Sequence, residues 1–83
     1  MQTPLHILHL EDDPLDAELI RRRLEEDGLL CEIERVDTES DFSLALERND
    51  TDLVLADFSM PGYDGMEALN LVQSMRPSLP FIL

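Results

Sequence analysis

Residues 52–65 read "DLVLADFSMPGYDG" and carry the clearest structural signals in the chain. The apolar run at 53–56 is short and unbroken, which is typical of a strand covered on both faces of a parallel sheet. Asp57 follows the run directly, and the proline and glycines behind it force a turn. Asp64 is a suitable N-cap for the helix that comes next. The segment therefore predicts a buried strand with a carboxylate at its end, then a loop and a helix.

Residues 7–14 read "ILHLEDDP" and place three further carboxylates after another apolar run. Two carboxylates about 4 Å apart repel each other by roughly 4 kcal/mol at an effective dielectric constant of ~20, so a group of this kind needs a partner. Asp13, which precedes a proline, fits the N-cap of a helix, and Asp16 is favourable in the first turn. These helix signals do not explain Glu11 and Asp12, which makes both residues candidates for a functional site.

Strands and helices are predicted to alternate along the whole chain. Strands are predicted at residues 5–10, 31–36, 53–56 and 81–83. Apolar residues at helical spacing predict three amphipathic helices between them, whose inward-facing residues are Ala17, Ile20 and Leu24, then Phe42, Ala45 and Leu46, then Met66, Leu69, Val72 and Met75. The second strand mixes apolar and charged side chains and is expected at a sheet edge, whereas the third is expected to be fully buried. This alternation predicts an α/β fold with a doubly wound parallel sheet.

Composition limits the classes of function. The chain has 83 residues, 43% of them hydrophobic and 30% charged, which suits one small globular domain without a membrane span. Six arginines and no lysine stand against 19 carboxylates, and the formal charge of −13 repels nucleic acid backbones. We therefore expect no direct contact with nucleic acid or with a membrane. The single cysteine, Cys31, and the lack of a basic leader favour a cytoplasmic location.

The acidic residues at the strand ends predict a metal site. Ligands of open parallel sheets bind outside the carboxyl ends of the strands, so Glu11, Asp12 and Asp57 converge if the first and third strands are neighbours. Crowding of like charges is expected to raise at least one carboxyl pKa, and a divalent cation would reverse this effect. Mg²⁺ prefers oxygen ligands and keeps waters that phosphate oxygens can replace. The arrangement suits phosphoryl transfer with Asp57 as the nucleophile.

The two motifs together resemble the receiver domain of the response regulators of two-component systems. The resemblance implies the flavodoxin-like fold, here with strand order 2-1-3-4 and without the last part of the domain, so that residues 1–83 form a partial receiver domain. It implies that Asp57 accepts a phosphoryl group from a histidine kinase or a histidine phosphotransfer protein. Pro61 and Gly62 would shape the loop behind the site. Such a domain is a signalling receiver that assists its own phosphorylation rather than an enzyme, and its parent is either a stand-alone regulator or a hybrid histidine kinase.

The resemblance also implies a set of Mg²⁺ ligands. Asp12 and Asp57 would bind the ion directly, and Glu11 would act through a metal-bound water. The backbone carbonyl of Ser59 would supply a further ligand.

Other interpretations remain open at this point. A pseudo-receiver would keep the fold as a protein-binding module without phosphorylation. A haloacid-dehalogenase-type phosphatase would need a second aspartate where Ser59 stands. His9 is expected to be a packed, hydrogen-bonded side chain rather than a phosphate carrier. The family's switch Ser or Thr follows the fourth strand and its Lys follows the fifth, and the chain ends at Leu83 before both. We therefore expect the chain to be a fragment that associates through the edge of its fourth strand.

Overall fold

A computed structural model describes residues 3–57 and 62–83. The elements are β1 (Leu5–Leu10), α1 (Pro14–Glu26), β2 (Cys31–Val36), α2 (Glu39–Glu47), β3 (Leu53–Ala56), α3 (Gly65–Met75) and β4 (Phe81–Ile82). The four strands form one parallel sheet in the order β2-β1-β3-β4. The predicted fold class, the strand order and the edge position of the second strand are confirmed.

Each helix begins at a capping side chain, and the predicted caps Asp13 and Asp64 are confirmed. The cap oxygens accept backbone N–H groups one turn in: Asp13 from Leu15 at 2.9 Å, Thr38 from Asp41 at 3.1 Å and Asp64 from Glu67 at 2.8 Å. These bonds satisfy donors that have no partner within the helix. The capping bonds therefore fix the residues at which the chain passes from the end of a strand into the next helix.

The core lies between the sheet and the pair α2 and α3. Its fully buried members include Leu8, Leu10 and Val54 of the sheet, which face Phe42 of α2 and Val72 of α3. In this core the Phe42 ring packs against the Tyr63 ring, with the two centroids 6.1 Å apart. This face of the sheet is well covered.

The opposite face of the sheet is thinly covered, and several expectations about burial are wrong here. None of the residues of α1 is buried: of its three predicted inward-facing residues, Ile20 exposes 38% of its surface, and Ala17 and Leu24 are half-buried. In β3, Val54 and Ala56 are buried but Leu53 and Leu55 are only half-buried, so this strand is covered well on one face alone. An apolar pattern shows which side of an element can be buried, whereas actual burial depends on what packs against that side.

The helical spacing of apolar residues in α3 also predicts one residue, Met66, to face inward, and this prediction is wrong. Met66 exposes 47% of its surface, and the buried residues of this helix are Gly65, Ala68 and Val72. The buried side of α3 is therefore the side that carries Gly65, Ala68 and Val72, and Met66 lies outside it.

Candidate functional site

The register of β1 and β3 brings two acidic residues to neighbouring positions. Leu10 pairs with Ala56, and each residue is followed by a carboxylate, Glu11 and Asp57. The ladder continues one step beyond the strands, because the Asp57 N–H donates to the Leu10 carbonyl at 3.0 Å and the Glu11 N–H donates to the Val36 carbonyl at 3.0 Å. Glu11 thus lies between the ends of both neighbouring strands.

Glu11, Asp12 and Asp57 form a compact group, which we call the acidic trio. Each offers a carboxylate oxygen, and these oxygens all lie within 4.8 Å of one another. Glu11 is buried, Asp57 is half-buried and Asp12 is exposed, so the trio runs from the sheet to the solvent. An octahedral Mg²⁺ ion with ligands at about 2.1 Å holds those ligands roughly 3 to 4 Å apart. The donor set and its spacing therefore fit a single small divalent cation.

The charge state of Glu11 reflects its burial. The pKa of Glu11 is raised to about 7, first because burial disfavours the carboxylate, and then because Asp57 shares a hydrogen bond with it and repels its charge. Its Oε2 atom is buried and lacks a hydrogen-bond partner among the described residues. The expected rise of a carboxyl pKa is confirmed, although desolvation rather than crowding is its main cause. A buried, unpartnered oxygen of this kind fits a site for a cation.

His9 lies beneath the trio on the same face of β1. It is 3% exposed, and burial lowers its pKa, with Asp57 opposing this change and Arg35 adding to it. The expected packing of His9 is confirmed, but its Nδ1 atom has no hydrogen-bond partner in the described part of the chain. These two unpartnered atoms, Glu11 Oε2 and His9 Nδ1, thus belong to a residue near the end of β1 and to the residue that directly follows the strand.

A cleft of about 720 Å³ opens beside the trio. His9, Glu11, Asp16 and Asp57 line its polar end, and its apolar wall consists of Leu19, Ile20, Leu55, Ile82 and Leu83. The cleft is open to solvent on the thinly covered face of the sheet. Asp16 borders it without belonging to the trio.

Arg35 contributes to the site although the sequence analysis does not identify it. Its Nη1 atom donates to the backbone carbonyl of Glu11 at 3.0 Å and lies 3.7 Å from a carboxylate oxygen of Asp37. The available signal was an arginine near the end of an edge strand, next to a strand that ends in acidic residues. Its contact depends on the strand register, which the sequence pattern alone does not specify.

The predicted loop residues are only partly described. Ser59 and Pro61 lie outside the described residues. Gly62 has a φ of +84°, a left-handed conformation that favours glycine, which agrees with its predicted place in a turn. The helix cap at Asp64 then starts α3.

A family model for the response regulator receiver domain matches residues 7–83. The chain belongs to this family. The receiver is 30% identical over 80 residues to the transcriptional regulatory protein GlrR of Escherichia coli K12, which is 96% of the chain but 18% of that protein. It is 32% identical over 78 residues to the glycerol metabolism activator of Pseudomonas putida, covering 93% of the chain and 35% of that protein.

Solved structures share the fold of this receiver. A response regulator from Hahella chejuensis superposes with a TM-score of 0.80 at 28% identity, over 93% of this chain and 60% of that one. The receiver domain of nitrogen regulatory protein C superposes with a TM-score of 0.76 at 28% identity. This match covers 99% of this chain and 64% of that one. The receiver thus spans less than two thirds of these chains. Among the helices of the described residues, none has the length and apolarity that crossing a membrane requires.

Proposed function

We propose that this receiver is the phosphoacceptor of a two-component phosphorelay, and that Asp57 takes a phosphoryl group from a phosphohistidine. The acidic trio carries the proposal, because one strand register places three carboxylate oxygens within 4.8 Å of one another at the end of a parallel sheet. The phosphohistidine belongs to a histidine kinase or a histidine phosphotransfer protein. In this role the receiver is a signalling component that assists its own phosphorylation.

Mg²⁺ is the proposed cofactor, with Asp12 and Asp57 as direct ligands, Glu11 acting through water and the Ser59 carbonyl completing the protein's contribution. The unpartnered buried oxygen of Glu11 supports this assignment. A receiver domain of a sensor histidine kinase from Pseudomonas aeruginosa, which shares the fold at 23% identity, has a magnesium ion in its active-site cleft. When bound, the ion would neutralise negative charge on the carboxylates and on the incoming phosphoryl oxygens.

The chemical step falls to Asp57. Its carboxylate oxygen attacks phosphorus in line, the new O–P bond forms as the P–N bond to the donor imidazole breaks, and the electron pair returns to the imidazole nitrogen. The Asp57 N–H bond to Leu10 fixes the backbone from which the nucleophile projects. Asp57 is only half-buried, so a donor protein can reach it.

The alternative is a pseudo-receiver that binds other proteins without phosphorylation. The exposed apolar residues of α1, Leu15 and Leu19, favour it, because they offer a contact surface. The complete acidic trio argues against it, since three close carboxylates destabilise a domain that has no use for a cation.

Phosphorylation of the chain distinguishes these functions. Incubation of the full-length protein with acetyl phosphate and Mg²⁺ is expected to add one phosphoryl group, measured by intact-protein mass spectrometry, and chelation of the metal is expected to prevent the addition. Asp57→Asn should add none, whereas the matched control Asp16→Asn, which removes a carboxylate beside the trio, should behave as wild type. A full-length wild-type protein that is folded and stays unmodified would support the pseudo-receiver.

The proposal extends to the cellular setting. The parent protein is a cytoplasmic response regulator or a hybrid histidine kinase, and any contact with DNA is made by another part of it, because a charge of −13 opposes binding by this domain. Two copies of the chain associate through the edge of β4. The exposed side chains of Ile82 and Leu83 support this contact.

A further inference from the structure

Arg35 holds one side of the strand end that carries two members of the acidic trio. Its guanidinium group donates to the Glu11 carbonyl at 3.0 Å. On the other side of the same residue, the Glu11 N–H donates to the Val36 carbonyl at 3.0 Å. Both polar backbone groups of Glu11 are therefore bound by consecutive residues of β2.

The bond to the Glu11 carbonyl also orients Asp12. The carbonyl carbon of Glu11 is joined to the Asp12 nitrogen in one planar peptide group, so fixing the oxygen fixes the direction in which the chain enters Asp12. Asp12 is exposed, and this peptide lies between the end of β1 at Leu10 and the start of α1 at Pro14, outside both elements. A charge-assisted hydrogen bond from a planar guanidinium is stronger and more directional than a neutral one.

We propose that Arg35 is a positioning residue that raises the affinity of the acidic trio for Mg²⁺ by holding the Glu11–Asp12 peptide. The inference rests on the proposed function, because it assumes that the trio binds this ion. Arg35 does not touch the metal in this account. It acts through the backbone that carries two of the carboxylates.

The positive charge of Arg35 lowers the affinity of the trio for Mg²⁺, because it repels a cation. That repulsion is weakened because the side chain is 35% exposed and Asp37 lies 3.7 Å away with a compensating charge. Partners that orient metal ligands, by contrast, commonly change metal affinity by about 10- to 100-fold when they are removed. We therefore expect the orientation of the Glu11–Asp12 peptide to outweigh the repulsion of the cation. If Arg35 is removed, loss of orientation predicts weaker Mg²⁺ binding, whereas loss of repulsion predicts tighter binding.

The test is the dissociation constant for Mg²⁺, measured by calorimetry or from amide NMR shifts in wild type, Arg35→Met and Arg35→Lys. Arg35→Met is expected to weaken binding about tenfold, the lower end of the range, because the contact is with backbone. Arg35→Lys keeps the charge and one donor and should recover part of the loss. The matched control Arg48→Met removes an arginine that pairs with Glu34 and Asp50 near the amino end of β3, and should bind as wild type.

The outcomes separate this inference from the proposed function. Unchanged or tighter binding by Arg35→Met, with normal binding by wild type, would overturn the role of Arg35 alone. A wild-type chain that binds no Mg²⁺ would overturn both. If Arg35→Met fails to fold, the side-chain Nε–H signal of Arg35 in the NMR spectrum of wild type provides the test instead. This signal should shift as Mg²⁺ is added, whereas the Nε–H signal of Arg48 should not. A silent Arg35 signal would contradict the inference.

Discussion

Glu11 is the residue at which structure and function conflict most directly. The residue is 4% exposed, and one of its carboxylate oxygens has no partner among the described residues. Such a group destabilises the folded chain whenever it is ionised without a cation. The conflict is resolved if the residue is kept for metal binding, and it makes the stability of the metal-free chain depend on pH.

Stability of the metal-free chain is expected to decrease as the pH rises from about 4.5 to about 7 because of Glu11. Its pKa is raised from 4.5 to about 7 in the folded chain, so the folded state holds the proton more tightly. The stabilisation that protonated Glu11 gives to the folded state is thus complete below its pKa in the unfolded chain. It is lost as the pH rises through its pKa in the folded chain. Glu11→Gln should remove this decrease and should make the chain more stable than wild type at pH 8.

Urea unfolding in the presence of a chelator at pH 5 and pH 8 measures the effect. The matched control Glu26→Gln replaces an exposed carboxyl group at the end of α1 and should retain the wild-type pH dependence. Added Mg²⁺ at pH 8 should stabilise wild type but not Glu11→Gln to the same extent. Equal pH dependence in Glu11→Gln and wild type would show that this carboxyl group is not the source.

The sequence identifies the members of the trio but not their surroundings. Glu11, Asp12 and Asp57 are recognisable because each follows an apolar run, and the geometry of parallel sheets brings such positions together. The burial of Glu11 and the contact made by Arg35 depend on the register between β1 and β2, which places His9 opposite Arg35. Register results from packing across the whole sheet, so local pattern does not determine it.

At the scale of the element, helix starts are predictable because capping is local. Asp13, Thr38 and Asp64 each bind a backbone N–H only two or three residues away. The burial of helix faces is less predictable because it depends on distant residues. The predicted apolar face of α1 therefore remains exposed at Ile20, and Met66 of α3 points away from the core.

Loss of the α2 cap is expected to cost about 1 kcal/mol of unfolding free energy. Thr38→Ala removes the hydroxyl oxygen that accepts the Asp41 N–H at 3.1 Å. Thr38→Ser keeps that oxygen and is the matched control, with a much smaller loss. Thermal or urea unfolding of the two variants measures the difference, and equal stabilities would mean that the cap contributes nothing in this chain.

At the scale of the molecule, one covered and one open face of the sheet determine how the chain behaves in solution. β4 pairs with β3, and within the described residues its other edge is unpaired, with Ile82 53% and Leu83 51% exposed. Such an edge favours pairing with a second copy, whereas a charge of −13 on each copy opposes it. The balance between these effects depends on ionic strength.

Self-association is expected to strengthen with salt, because the screening length falls from about 30 Å at 0.01 M to about 8 Å at 0.15 M while the apolar contact is retained. Sedimentation equilibrium at several salt concentrations measures it. Ile82→Lys should shift the chain toward monomer, and the control Leu44→Lys, on exposed α2 surface, should not. A chain that is monomeric at high concentration and high salt would contradict association through this edge.

The central claim is that Asp57 is the acceptor, and the most direct test is to locate the phosphoryl group chemically. Borohydride reduces an aspartyl phosphate to homoserine, which proteolysis and tandem mass spectrometry assign to a position. After reaction with a phosphohistidine donor and Mg²⁺, we predict homoserine at position 57 and at no other aspartate, with none formed when the metal is chelated. Reduction at a different carboxylate, or an unmodified Asp57 in a chain that carries the phosphoryl group, would contradict the account.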